Sequence, residues 1–265
     1  MTDAVDLSIR QFREAWRLLC AESPDASLAV VDGVDYIFSG LPIGFFNVAV
    51  LTGQDISTEK LKAHGDNACA WAAGQAVPWL FVLTHEALDA GVDPTSVLDG
   101  CGLGPMMPMT AMVAQQVAPV ERVPEGLQLT VPQDDAGCSS LLDINSLAYG
   151  MELDAGKPLV GTRSFWDDQV AVLGVVGAAP VSCAAVLMVD GYRYVALVAT
   201  DPAHQRRGYA EAAMRHALDV AGQQHGERPT FLHASEAGRP IYQRMGYLPI
   251  ATHTIFMEKR FLTGH

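Results

Sequence analysis

No two cysteines of this chain stand at CxxC spacing: its five, Cys20, Cys69, Cys101, Cys138 and Cys183, are odd in number and widely scattered. That distribution excludes a zinc ribbon or a disulfide framework, and no metal is expected; a reducing, cytoplasmic compartment is. Long apolar runs are also lacking. None approaches the roughly 18 residues needed to span a bilayer, so no membrane partner is expected. The opening residues, Met1-Thr2-Asp3-Ala4-Val5-Asp6, are acidic and lead into no apolar signal-peptide core. Basic residues are scarce, with 17 Lys and Arg against 30 Asp and Glu, a net charge of −13. The deficit is deeper early on: residues 1–119 hold 14 acids and 5 bases (−9), residues 120–265 hold 16 and 12 (−4). Non-specific nucleic-acid binding needs Lys and Arg on phosphates, so no nucleic-acid partner is expected. An acidic surface maintains solubility and also suits a cationic acceptor.

What is present is enough apolar sequence for buried cores. Hydrophobic residues make up 49% of the 265, a length that predicts two domains, or one with a large extension. Apolar spacing predicts a helix over 4–22, with Leu7, Phe12, Trp16, Leu18 and Leu19 near one face. Strands are expected at 27–31, 36–39, 44–51 and 78–84, and a helix capped by Ser57 or Thr58 runs to about Gln75. A short helix near 94–101 leads into a Gly/Pro/Met-rich turn at 102–108. Met106, Met107, Met109 and Met112 suit either an adaptable apolar pocket or, the preferred reading, the filling of an inter-domain contact. Pro119 and Pro124 mark a linker at 120–126. It separates an N-terminal domain, 1–119, from a second domain, 127–265.

The second domain predicts a strand at 127–131, a helix over 139–149, a hairpin of 169–176 with 181–189, and a strand at 192–200. There the sequence is most informative: Val198-Ala199-Thr200-Asp201-Pro202-Ala203-His204-Gln205-Arg206-Arg207-Gly208-Tyr209-Ala210. It reads as an apolar strand, a polar turn, and small residues opening a helix over 208–224. Unpaired N–H groups and the dipole at such a helix start favour a phosphate or pyrophosphate. Gly208 and Ala210 lack the bulk that would keep an anion away from the backbone. A strand at 230–234, a short helix at 240–245 and a strand at 253–257 complete the order.

The pattern Gln205-x-x-Gly208-x-Ala210 resembles the acyl-CoA pyrophosphate loop of the GNAT family of N-acetyltransferases. About thirty residues on, Ala234-Ser235-Glu236-Ala237-Gly238-Arg239-Pro240-Ile241-Tyr242-Gln243-Arg244-Met245-Gly246-Tyr247 is similar to the GNAT segment ending in Y-x-x-x-G-[FY]. The resemblance covers roughly 127–265. It implies an α+β fold (the α/β GNAT fold): a mixed, mostly antiparallel sheet flanked by helices. This follows a smaller N-terminal domain that is either a degenerate, non-catalytic GNAT-like half or a substrate-covering extension.

By the same resemblance, Gln205, Arg206, Arg207, Gly208, Tyr209 and Ala210 hold the donor's phosphates, and main-chain N–H groups of Val198, Ala199 and Thr200 meet the pantetheine and thioester carbonyl. Tyr242 stands where many GNAT enzymes place a tyrosine beside the CoA sulfur, and a phenol can protonate a departing thiolate. Ser235 stands where many relatives have Asn, and a hydroxyl replaces only part of an amide. The strand before the loop, Tyr192-Arg193-Tyr194-Val195-Ala196-Leu197, carries no carboxylate to act as base. His233, then Glu236, are the side-chain candidates; ordered water is the alternative. Asp201 is expected to shape the turn.

The implied function is transfer of an acetyl group from acetyl-CoA, the acyl-donor substrate, to a primary amine of a small molecule or peptide, directly in a ternary complex. A non-catalytic CoA-binding or sensory module, and an acyltransferase using a different acyl-CoA, are the alternatives. The first domain is also readable as a platform for a protein substrate. A homodimer is a permitted state.

Overall fold

The computed structural model describes residues 2–119, 124–151 and 154–262. In chain order the elements are α1 (Thr2–Cys20), β1 (Ser27–Val31), β2 (Val34–Phe38), β3 (Asn47–Leu51), α2 (Thr58–Ala73), β4 (Leu80–Thr84), α3 (Pro94–Asp99) and β5 (Leu103–Ala114). There follow β6 (Leu127–Thr130), α4 (Asp135–Tyr149), α5 (Lys157–Val160), β7 (Val170–Val176), β8 (Ala179–Val189), β9 (Tyr192–Thr200) and α6 (Tyr209–His225). The last are β10 (Thr230–Ala234), α7 (Arg239–Arg244), β11 (Leu248–Glu258) and α8 (Lys259–Leu262). Of the expected linker 120–126, residues 120–123 lie outside the described residues.

Contacts gather these elements into two compact units. The first comprises Met1–Met112, His233–Arg239 and Pro249–His265; the second comprises Val113–Leu232 and Pro240–Leu248. In the first, the strand order is β1-β2-β3-β4-β11-β5. β1, β2 and β3 are antiparallel neighbours, β3 and β4 are parallel, and β11 is antiparallel to β4. On α1, Val5, Ile9, Phe12, Ala15, Trp16 and Leu19 recur every three or four residues and are buried, which makes one apolar face. One turn apart, Arg13 and Arg17 reach the fully buried Asp35 of β2 at 2.6 and 2.5 Å. A core of Tyr36, Phe38, Leu51, Leu61, Trp79, Phe81 and Phe256 lies under α2.

In the second unit the order is β10-β9-β8-β7-β6. β6 to β9 form an antiparallel ladder, and β9 runs parallel to β10. α4 packs on β8 and β9, and α6 on β7 and β8. Each unit thus contains one strand–loop–helix–parallel strand crossover: β3-α2-β4 in the first, β9-α6-β10 in the second.

The structure differs from the sequence reading in four places. Residues 102–108, expected as a turn, enter β5 from Leu103 on, with Pro105, Met106 and Pro108 at exposed positions. Gly44–Phe46, expected as strand, is a 3-10 turn leading into β3. The short helical turns between 154 and 166 have no counterpart in the expected elements. Lastly β11, expected among the strands of 127–265, pairs with β4 from His253↔Thr84 to Met257↔Leu80. Apolar alternation forms a strand without specifying its partner. No described helix is long and apolar enough to cross a membrane.

Candidate functional site

The candidate site is built on β9. Its ladder with β8 runs from Val189↔Tyr192 to Ala185↔Ala196 and resumes at Cys183↔Ala199, with the register shift of a bulge between. Leu197, in the shifted stretch, takes the left-handed conformation at φ +50°. The parallel register with β10 comprises Thr230↔Arg193 and Phe231↔Tyr194, and β9 runs on past it to Thr200. Val198 is half-buried; Ala199 and Thr200 are buried.

At the end of β9 the turn is set by Asp201. Its N–H donates to the Val181 carbonyl at 2.9 Å, and its Oδ1 accepts from the Ala203 N–H at 2.8 Å, opening the 3-10 turn Pro202–His204. Gln205 is spent on the backbone, its Nε2 donating to the Thr200 carbonyl at 3.3 Å. Arg206 (φ +62°) and Gly208 (φ +81°) are both left-handed, which turns backbone N–H groups toward one concavity. Gly208 precedes α6 and puts no side-chain hydrogen bond on its first turn. Those N–H groups, unoccupied by any side-chain cap, stand at the positive end of the dipole of a 17-residue helix.

A cavity of about 500 Å³ opens there, lined by Arg206, Arg207, Gly208, Tyr209, Arg215 and Arg244, with Pro119, Pro124, Glu125 and Glu211. Glu211 is engaged by Arg215 at 2.9 Å and Arg244 at 3.8 Å. Arg206 and Arg207 are exposed and form no ion pair among the described residues. Tyr209 is buried and Ala210 half-buried.

The equivalent position in the first unit, the β3–α2 loop, is built the opposite way. Ser57 caps α2 by accepting from the Lys60 N–H at 3.3 Å and donates to the Glu59 carboxylate at 2.9 Å. Its left-handed residue is Asp55. There a side chain fills the cap, and Asp55 and Glu59 stand beside Lys60, whose Nζ donates to the Asp55 carbonyl at 3.1 Å.

Tyr242, on α7, is half-buried, with its ring 6.0 Å from that of Tyr247. Burial raises its phenol pKa, and the neighbouring Tyr149 and Tyr247 add to the rise. Tyr247 is fixed by Thr230, hydroxyl to hydroxyl at 2.6 Å.

Three of the expected residues, His233, Ser235 and Glu236, fall in the first unit. The Ser235 Oγ accepts from the Gly238 N–H at 3.3 Å, which shapes the turn; Glu236 is exposed. His233 stacks edge-on to His253 (4.7 Å) and Phe12 (5.1 Å). Desolvation, then the proximity of His253, holds its pKa well below the usual imidazole value.

Three residues that the motifs did not flag touch the bulge. Tyr149, the last residue of α4, donates its hydroxyl to the Val198 carbonyl at 3.0 Å. One turn earlier, the buried Asn145 amide lies 2.8 Å from the Leu141 carbonyl and 3.2 Å from Cys183 Sγ. Cys183 Sγ in turn lies 3.2 Å from the Leu197 carbonyl. The available signal was a pair of polar side chains, Asn145 and Tyr149, at i, i+4 on one face of α4.

Residues 138–247 match the model of the family described as Acetyltransferase (GNAT) family. Among solved structures, the chain is similar to a GCN5-related N-acetyltransferase from Kribbella flavida, with 19% identity, 97% of this chain and 95% of that one covered, and a TM-score of 0.70. A GCN5-related N-acetyltransferase from Sphaerobacter thermophilus matches at 14% identity over 97% and 92% of the chains, TM-score 0.56. A tandem GNAT protein from the clavulanic acid biosynthesis pathway matches at 13% identity over 95% and 94%, TM-score 0.52. At these identities the likeness is one of fold, and it extends over both halves of the chain. No curated protein matches.

Proposed function

We propose, from the match of residues 138–247 to the GNAT family model, that the protein is an acetyl-CoA-dependent N-acetyltransferase acting on a primary amine of a small molecule or peptide. The observation that carries this reading is the α6 N-terminus, uncapped by any side chain, reached through two left-handed residues and opening on an arginine-lined cavity. The donor's pyrophosphate fits those N–H groups, with Arg206 and Arg207 free to add charge-assisted bonds. Val198, Ala199 and Thr200, past the end of the parallel register, supply main-chain groups to the pantetheine and acyl carbonyl.

In the ternary complex the amine nitrogen bonds to the thioester carbonyl carbon and the C–S bond breaks. The departing thiolate takes the Tyr242 proton, which burial keeps on the phenol at neutral pH. The proton of the new ammonium goes to ordered water. His233 is the side-chain candidate for that proton, and its depressed pKa makes it a weak base. The donor site lies in 127–265, and 1–119 is a GNAT-like half that binds no donor of its own. Five free thiols suit a reducing cytoplasm.

The second reading, a CoA-binding module without chemistry, is favoured by the lack of a carboxylate on Tyr192–Leu197. Titration calorimetry with CoA, then thiol release from acetyl-CoA and longer acyl-CoAs with a panel of amines, separates the readings. Binding with turnover supports the enzyme, and binding without turnover on any amine supports the module. No binding of CoA overturns both. Sedimentation of the same sample reads whether a homodimer forms.

A further inference from the structure

The bulge in β9 is held from outside the strand. The peptide group joining Leu197 to Val198 has its carbonyl against Cys183 Sγ at 3.2 Å, and Cys183 receives the Asn145 amide at 3.2 Å. Burial pushes the Cys183 thiol up to about 12, so the sulfur carries its proton and can donate. The next peptide group, joining Val198 to Ala199, has its carbonyl on the Tyr149 hydroxyl at 3.0 Å. Both peptide planes flanking Val198 are therefore pinned, which fixes its φ and ψ. In a trans peptide the N–H points opposite to the carbonyl of the preceding residue. With the Leu197 carbonyl turned to Cys183 of β8, the Val198 N–H is aimed away from β8. Leu197 stays left-handed, a costly conformation for a branched residue, and surroundings that over-determine it are what such a residue requires.

We propose that Tyr149, together with Cys183 and with Asn145, whose amide reaches the Leu197 carbonyl both through Cys183 and directly at 3.4 Å, positions the Val198 N–H as the donor to the acyl carbonyl. This rests on the donor reading above. α4 then does more than pack on the sheet: its last turn sets the dipole that stabilises negative charge on the carbonyl oxygen as the amine attacks. Tyr149 is a positioning residue, since its hydroxyl is committed to the protein backbone. Its ring is half exposed (50%), so Tyr149→Phe removes the hydrogen bond with little change in packing.

The test is the carbonyl stretch of carbonyl-13C acetyl-CoA bound to the full-length protein, read by isotope-edited infrared difference spectroscopy, with CoA affinity from calorimetry. The native protein is expected to shift the stretch to lower frequency. Tyr149→Phe and Cys183→Ala are expected to lose most of that shift while CoA affinity stays within about twofold. Cys183→Ser, which restores a donor, is expected to regain it. On an amine that turns over, kcat is expected to fall about tenfold or more at unchanged KM, less than the roughly 10²–10³ lost when such a donor is deleted outright. Native-like shifts in both Tyr149→Phe and Cys183→Ala, with CoA still bound, overturn the positioning role alone. Failure of the native protein to bind CoA overturns the donor reading and the positioning role together.

Discussion

Gly208 permits a quantitative test of the anion-binding end. At φ +81° and ψ +9° it occupies the left-handed region, which costs a residue with a side chain about 1–2 kcal/mol. A Cβ placed there meets only Pro124 Cγ at 3.6 Å, an ordinary contact. Gly208→Ala therefore introduces conformational strain without a clash. Two routes are open to the variant. If the loop holds its shape, the strain appears as lost stability, about 2–8 °C in Tm for a chain of this size. If the loop relaxes, the shape must be restored on binding, and CoA affinity falls about 5- to 30-fold. The two losses together should total about 1–2 kcal/mol. Gly191 is the control: it is also left-handed, at φ +80°, with nothing within 4 Å of its Cβ, and it turns β8 into β9 away from the loop. Gly191→Ala should lower Tm similarly and leave CoA affinity unchanged. Gly208→Asn, a residue that tolerates this region, should recover much of the loss. Calorimetry and thermal melts on the three variants decide the matter. A Gly208→Ala protein with native affinity and native Tm refutes the argument that backbone conformation at this residue forms the site.

Other consequences can be checked alongside. Tyr242→Phe should lower kcat about 10²-fold or more with little change in KM, as expected for loss of a general acid. Because the phenol pKa is raised, the native rate should show no alkaline fall attributable to Tyr242 below the ordinary tyrosine range; a fall near pH 8 that vanishes in Tyr242→Phe contradicts the assignment. His253 bridges Ser8 (2.5 Å) and Thr84 (3.2 Å), and desolvation lowers its pKa to about 3. Its folded pKa lies below the unfolded value near 6.5, so its contribution is fully present above that value. It is lost on acidification between about 6.5 and 3, with a limiting slope of about 1.4 kcal/mol per pH unit. His253→Gln should flatten that part of the Tm–pH curve; an unchanged curve removes His253 as its source. A fragment of residues 120–265 should be insoluble or unfolded, because β11 loses the five pairs it makes with β4. A soluble, cooperatively melting fragment would show that β11 finds another partner.

Much of this architecture was legible because its signals are local. The Ser57 cap, the apolar face of α1 and the 3.6-residue stripe of α6 each lie within a few turns of chain, where periodicity and capping chemistry act. The turn between β9 and α6 was legible for the same reason, since Gly208 and Asp201 carry their conformational meaning in their own side chains or the lack of one. What was not legible depends on partners distant in sequence. β5 carries Pro105 and Pro108, which signal a turn locally and yet stand within a 12-residue strand. The Asn145–Cys183–Leu197 contacts join three elements across 52 residues, and no periodicity records them.

The two halves show why fold alone does not make a site. Both place a strand, a loop and a helix ahead of a parallel strand. In the first, Ser57 occupies the helix end, with the carboxylates of Asp55 and Glu59 and the ammonium of Lys60 around it. In the second, Gly208 leaves the same end open and Arg206 and Arg207 line it. The chain thus carries the same strand–loop–helix arrangement twice, with a side-chain cap at one helix start and none at the other. Replacing Ser57 with Gly should cost only a few tenths of a kcal/mol of stability and leave CoA affinity unchanged, because the carboxylates of Asp55 and Glu59 would remain; a gain in CoA affinity would contradict this.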